Sequence, residues 1–146
     1  MDKDKLMKTC VIIPAFDVAS HIAAVIHGCK KHVTDIIVID DGSRDGTGRA
    51  SRAAGAQVMT HPKNLGKGAA LKTGFLSAQE QAYEAVITLD GDGQHAPDDI
   101  PRLLAAARED TLVIGSRMHR PHRMPVIIFF VYIMFSRFIS HICIGP

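Results

Sequence analysis

The chain has 146 residues, 47% of them hydrophobic, which is one domain's worth with a sizeable core. A formal net charge of +2 excludes a dedicated nucleic-acid binder, which needs a strongly basic surface. Cys10, Cys29 and Cys143 are widely spaced and odd in number, so they suit a reducing compartment and form no disulfide framework; the charged residues 1–8 are unlike a signal peptide. A cytoplasmic protein is expected.

Residues 10–13 form a short apolar run that Pro14 should stop. Ser20 is placed to cap a helix reaching about Lys31, with Ile22, Val25, Ile26 and Cys29 on one face. His27 and His32 fall in or beside that helix and lack a second pair of metal ligands. Residues 36–39 read as a strand and Asp40-Asp41-Gly42-Ser43 as its turn. Residues 45–54 read as a helix closed by Gly55, residues 57–60 as a strand, and residues 61–64 as a loop. A helix over 65–81 begins at Gly66-Lys67-Gly68, and a buried strand covers 85–89. Pro97 suits the first turn of a helix reaching Arg108, and residues 111–114 make one more strand.

Alternating short strands and helices predict parallel βαβ units and an α/β sheet. In such sheets ligands bind beyond the carboxyl ends of the strands. Pro14, Asp40-Asp41, Asp90-Gly91-Asp92 and Gly115-Ser116-Arg117 all fall at such ends. Asp90 and Asp92, two apart on extended chain, point the same way, and Gly91 and Gly93 clear room for a ligand beside them. Carboxylate and amide oxygens are hard donors suited to Mg²⁺ or Mn²⁺ together with substrate phosphates. As a calcium loop the segment fails, because Pro101 stands where the twelfth-position Glu belongs.

Gly66-Lys67-Gly68 offers backbone N–H groups and an ammonium to an anion, yet it is no P-loop: His61 replaces the first glycine, and Gly68 follows Lys67. A dinucleotide fingerprint fails too, with Ser51 and Leu71 at the third glycine positions. An aspartyl-phosphatase reading of Asp90-x-Asp92 lacks the Thr or Ser wanted at Gln94. Asp41, at a strand end, can accept from a ribose hydroxyl or a base N–H, or can serve an Asx turn and helix cap.

Five segments in order, Val11-Ile12-Ile13-Pro14-Ala15-Phe16-Asp17, Asp40-Asp41-Gly42-Ser43-Arg44-Asp45-Gly46-Thr47, Asn64-Leu65-Gly66-Lys67-Gly68, Leu89-Asp90-Gly91-Asp92-Gly93-Gln94-His95 and Gly115-Ser116-Arg117, resemble family 2 glycosyltransferases. The likeness covers roughly residues 9–145 and is nearest to the dolichyl- and polyprenyl-phosphate sugar transferases. It implies a GT-A fold, a Rossmann-like, mostly parallel sheet flanked by helices. It also implies a nucleotide-sugar donor of GDP-mannose or UDP-glucose type, transfer of hexose with inversion to a polyprenyl or dolichyl phosphate, and Mg²⁺ or Mn²⁺. By the same resemblance Pro14, Phe16, Asp17, Ile39 and Asp41 match nucleotide contacts, with Phe16 in place of Tyr, Asp17 in place of Asn and Val18 at the usual Glu position. Asp90 and Gly91 match nucleoside and donor contacts, Asp92 and Gln94 the metal-binding pair, and Arg117 a diphosphate or acceptor-phosphate contact. Asp92 and Arg117 are therefore the candidate catalytic residues, and Lys67 joins the donor-binding set.

Residues 1–124 are expected to form the nucleotide-sugar unit and residues 125–146 the start of an apolar, membrane-proximal segment. Residues 126–144 approach bilayer-crossing length, but Arg137 and the polar stripe Ser136, Ser140 and His141 favour a helix lying at the interface or packed on the domain. The basic cluster Arg117, His119, Arg120, His122 and Arg123 suits a lipid phosphate. Peripheral attachment at the cytoplasmic face of a membrane is the corresponding expectation. The chain ends before the acidic motif and Gly-Phe-Arg acceptor segment that the resemblance leads one to expect, so a truncated donor-binding domain without turnover is the alternative.

Overall fold

The structure, a computed structural model, describes residues 7–94 and 96–107. The expected strand at 111–114, Arg117, the basic cluster, the segment 126–144 and the division at 124/125 lie outside the described residues. In chain order the elements are β1 (Thr9–Ala15), α1 (Ala19–Lys30), β2 (Asp35–Asp40), α2 (Thr47–Ala53), β3 (Gln57–Thr60), α3 (Lys67–Glu80), β4 (Ala85–Thr88), a 3₁₀ turn (Pro97–Asp99) and α4 (Ile100–Ala106). The four strands make one sheet in the order β3-β2-β1-β4, and every pairing is parallel.

Strand alternation sorts the core into two layers. Val11, Ile13, Ile36, Val38 and Ile87 face α1 and α4, where they meet Ile22, Val25, Ile26, Cys29, Ile100 and Leu103. Cys10, Ile12, Ile37, Ile39 and Val86 face α3 and meet Ala70, Phe75 and Ala78. With both faces covered, the strands read as continuous apolar runs in the sequence. Gly74 lets α3 lie close to the sheet, since a Cβ there would come within 2.5 Å of Ile12 Cγ2.

Four local expectations change. Pro14 does not stop β1, which runs on to Ala15 paired with β2. Instead it ends the pairing with β4. Ile12 O accepts from Leu89 N–H at 3.1 Å, while Ala15 O faces β2 and accepts from Asp41 N–H at 2.8 Å. Alternation therefore turns Pro14 towards β4, where it has no N–H to continue the ladder. The two strands part there, at the point where the strand order reverses.

Ser20 is not the cap of α1. The helix begins at Ala19, with Val18 as N-cap and no side-chain cap of its own. Its first N–H groups are satisfied from the next loop: Val18 N–H donates to Thr47 Oγ1 and Ala19 N–H to Asp45 Oδ2, both at 2.9 Å. Asp45 Oδ1 also accepts from Thr47 N–H, so α2 starts at Thr47 and not at Asp45. Pro97 opens a 3₁₀ turn before α4, which ends at Ala106, short of Arg108. Among the described residues no helix is long and apolar enough to cross a membrane.

Candidate functional site

Where β1 and β4 part, an open cleft of about 440 Å³ is lined by Pro14, Ala15, Phe16, Val18, Asp41, Asn64, Lys67, Ala70, Asp90, Gly91 and Asp92. This is the crevice outside the strand ends that open α/β sheets reserve for ligands. Three carboxylates and one ammonium stand among these residues, so the wall carries an excess of negative charge.

Phe16 follows the end of β1 and leaves 45% of its surface exposed at the cleft. Asp17 adopts a positive φ of 51° and is exposed; its Oδ1 accepts from Arg44 N–H at 2.8 Å, and its own N–H donates to Ser43 Oγ at 3.0 Å. Asp and Asn tolerate that conformation better than most residues. The loops after β1 and β2 are thus stitched together by Asp17, Ser43, Asp45 and Thr47. Ile39 is fully buried in the α3 layer and does not line the cleft.

Asp41 does two things at once. It lines the cleft, and its carboxylate, on a residue only 3% exposed, holds the loop that follows β3. Oδ1 accepts from Leu65 N–H at 3.0 Å, and Oδ2 accepts from Gly66 N–H at 2.8 Å. His61 Nδ1 lies 2.6 Å from Oδ1, while His61 Nε2 lies 2.9 Å from Thr73 Oγ1 on α3. Burial pushes the Asp41 carboxyl up, but the bonds from Leu65, His61 and Gly66 outweigh it and hold the group below its ordinary value. Asp40 turns the other way and caps its own turn through Ser43 N–H at 3.0 Å.

Across the cleft, Lys67 Nζ meets Asp90 Oδ1 at 2.6 Å. Asp92 is exposed, and its Oδ1 accepts from Gln94 N–H at 2.9 Å, an Asx turn that Gly93 completes at φ +78°. The two glycines of this turn serve different ends. A Cβ at Gly93 would meet nothing within 4 Å, so that side is open to a ligand. One at Gly91 would press on Ile22 Cδ1 at 3.1 Å and Val18 Cγ2 at 3.2 Å, so Gly91 answers to packing beneath the cleft. Among the described residues no group of three or more His, Cys, Asp or Glu side chains could hold a metal ion alone. Asp92 and Gln94 supply two exposed oxygen donors on one turn, a donor set that fits a cation shared with ligand phosphates.

The structure therefore brings Pro14, Phe16, Asp41, Lys67, Asp90, Gly91 and Asp92 to one cleft. Asp17 stands at its edge and Gln94 follows on the same turn. Sequence reasoning missed His61 and Thr73. The register of β2 with β3, Asp40 opposite Thr60, sets His61 beside Asp41, so the pairing was the signal that could have found it.

Residues 10–125 match the model of "Glycosyl transferase family 2". The chain belongs to that family. It is 35% identical over 118 residues to an undecaprenyl-phosphate mannosyltransferase of Micrococcus luteus, covering 76% of this chain and 49% of the relative. It is 33% identical over 138 residues to a UDP-N-acetylglucosamine–dolichyl-phosphate N-acetylglucosaminyltransferase of Methanococcus voltae, covering 81% of this chain and 54% of that one. Among solved structures, glucosyl-3-phosphoglycerate synthase from Mycobacterium tuberculosis with Mn²⁺, UDP and glucosyl-3-phosphoglycerate superposes with a TM-score of 0.58 at 28% identity. That match covers 68% of this chain and 39% of the other. The GT-A fold expected from the sequence is thus the fold observed, and this family 2 chain spans about half the length of the curated relatives it matches.

Proposed function

We propose that this family 2 chain binds a nucleotide-sugar donor, of GDP-mannose or UDP-glucose type, in the cleft between β1 and β4. Hexose is then transferred with inversion to a polyprenyl or dolichyl phosphate. The observation that carries the reading is the facing of Lys67 and the Asp90-Gly91-Asp92 turn across a cleft at the strand-order reversal. Relatives named for polyprenyl- and dolichyl-phosphate acceptors support the acceptor class.

Phe16 offers an apolar ring to the base, with Pro14 and Ala15 beside it. Asp41 presents a carboxylate to the nucleoside, and Asp17 lies at the rim. Lys67 and the first N–H groups of α3 attract the diphosphate. Asp92 and Gln94 would hold the divalent cation, Mg²⁺ or Mn²⁺. That cation would offset the charge that develops as the diphosphate leaves. The charge of the cleft wall supports that reading, since Asp41, Asp90 and Asp92 outnumber Lys67 and would repel a bare diphosphate. Arg117 is assigned to the diphosphate or to the acceptor phosphate.

The acceptor phosphate is already an anion at neutral pH, so no strong general base is required. Its oxygen attacks the anomeric carbon from the side opposite the diphosphate. The bond to the nucleoside diphosphate breaks with its electron pair, and the configuration inverts. Residues 1–124 form the donor unit in this reading. Residues 125–146 begin the membrane-proximal part, and the basic residues within 117–123 are assigned to the lipid phosphate at the cytoplasmic face. A donor-binding unit without turnover is the second reading.

Calorimetric titration of the chain with GDP, UDP, GDP-mannose and UDP-glucose, with and without Mn²⁺, tests the donor site. Cation-dependent binding of one nucleotide is expected, and no binding of any would sink the reading. Transfer of labelled hexose to an added polyprenyl phosphate separates the enzyme from the donor-binding unit.

A further inference from the structure

We infer that His61 is a positioning residue for the donor: through Asp41 and Thr73 it sets where loop 61–66 and the start of α3 stand, and hence where Asn64 and Lys67 meet a ligand. The inference rests on the donor-binding reading and adds to it a residue that itself touches no reacting atom.

The His61 side chain is only 11% exposed, and both of its ring nitrogens are engaged. An ionised carboxylate only accepts, so Nδ1–H donates to Asp41 Oδ1. Nε2 pairs with Thr73 in the second turn of α3. One ring therefore ties the end of β2 to the body of the helix. The backbone of the same residue is fixed as well, because His61 N–H donates to Asp40 O at 2.9 Å.

The start of α3 needs this support because it has no side-chain cap bond of its own. Its N-cap, Gly66, stands at φ 93° and donates its N–H to Asp41 Oδ2 and to Asn64 Oδ1. Asp41 thus does from β2 what a capping residue does locally. A carboxylate offers about four lone-pair sites, and His61, Leu65 and Gly66 take three of them. One remains for the cleft. Gly42 completes the arrangement: at φ +76° it lets the loop pass so close that a Cβ would stand 2.5 Å from the Lys63 carbonyl carbon. Loop 61–66 is clamped on both sides, and Lys67 follows directly from it.

The experiment uses the full chain and measures UDP and GDP binding with Mn²⁺ by calorimetry, beside urea unfolding, for His61→Ala, His61→Asn and Thr73→Val. His61→Ala should weaken binding of the preferred diphosphate roughly 10-fold, the loss expected of one charge-assisted contact no longer held in place. His61→Asn, which keeps a short N–H donor towards Asp41, should recover part of that loss. Thr73→Val should lose affinity less than His61→Ala does. In any transfer assay the KM for donor should rise while kcat at saturating donor holds. A merely structural His61 would lower the urea midpoint and leave the diphosphate Kd within twofold, which overturns the inference. If His61→Ala fails to fold, Thr73→Val decides, since it leaves the Asp41 bonds to Leu65 and Gly66 in place. A native chain that binds no nucleotide refutes the donor reading itself, whereas native-like binding by His61→Ala refutes this inference alone.

Discussion

Lys67 Nζ stands 2.6 Å from Asp90 Oδ1, joining the first residue of α3 to the turn after β4 across the mouth of the cleft. The lysine side chain is more than half exposed, and ion pairs of that kind contribute little to folding. Its consequence is electrostatic. In the unliganded chain the ammonium offsets one of the three carboxylates that line the cleft. A diphosphate entering there, accompanied by a cation, can take up the same ammonium.

Replacing Lys67 by Gln should therefore weaken nucleoside diphosphate binding roughly 10-fold while barely moving the urea midpoint. Lys67→Arg should recover only part of the affinity, because a planar fork does not stand where a compact ammonium stood. Calorimetry with UDP and GDP reads the first effect directly. An unchanged Kd in Lys67→Gln would remove Lys67 from the donor contacts.

Asp92→Ala should abolish the strengthening of nucleotide binding by Mn²⁺ and leave the weaker cation-free binding in place. Gln94→Ala should do less, since a neutral amide oxygen is the poorer ligand of a hard cation. Titrations with Mn²⁺ and with Mg²⁺ check both. Survival of full Mn²⁺-dependent binding in Asp92→Ala would show that other groups hold the cation.

Much of this was legible because parallel sheets impose strong order on sequence. The runs over 10–13, 36–39 and 85–89 are apolar on every residue but Thr88 because both faces of each strand are covered. The residues that follow those runs, Pro14, Asp40-Asp41 and Asp90, then mark the strand ends at which the cleft opens. Pro14 was harder to read: whether a proline stops a strand or only one of its two ladders depends on which neighbour its nitrogen faces. The cap of α1 was illegible for a related reason. Asp45 and Thr47 serve Val18 and Ala19 from 26 to 29 residues away, a distance no local capping pattern covers. His61 carries no spacing signal at all; only the pairing of β2 with β3 sets it beside Asp41.

Asp41 should also give the fold an acid limit. Its folded-state pKa lies below the ordinary 3.8, so near and below that pH the unfolded chain binds more protons than the folded one. The stabilisation it confers is fully present above about pH 3.8 and is lost as pH falls through the lower folded value. Asp41→Asn should cost roughly 2–3 kcal/mol at pH 7, because a buried charged acceptor of three bonds is replaced by a neutral amide. The variant should also show a shallower loss of stability towards acid. Asp45 is lowered as well, chiefly by its bond from the Thr47 hydroxyl, so part of the acid dependence should persist. Urea midpoints from pH 3 to 7 give both slopes, and parallel curves for the two proteins would refute the assignment.

Gly74→Ala tests the other wall of the cleft. The new Cβ would approach Ile12 Cγ2 to 2.5 Å and Ile39 Cγ1 to 3.4 Å, in a layer where Ile12 and Ile39 are both fully buried. Higher helix propensity favours alanine by roughly 1 kcal/mol, and overpacking a dense core costs roughly 1–3 kcal/mol. The clash should win, because Ile12 sits on a central strand between β2 and β4 and has nowhere to withdraw. The urea midpoint should fall, with the slope unchanged. Relief of the clash lifts α3 off the sheet and carries Lys67 with it, so nucleotide affinity should fall as well. A Gly74→Ala chain as stable as the native one would mean that α3 can shift freely. The close packing of α3 would then not be what holds Lys67 opposite Asp90.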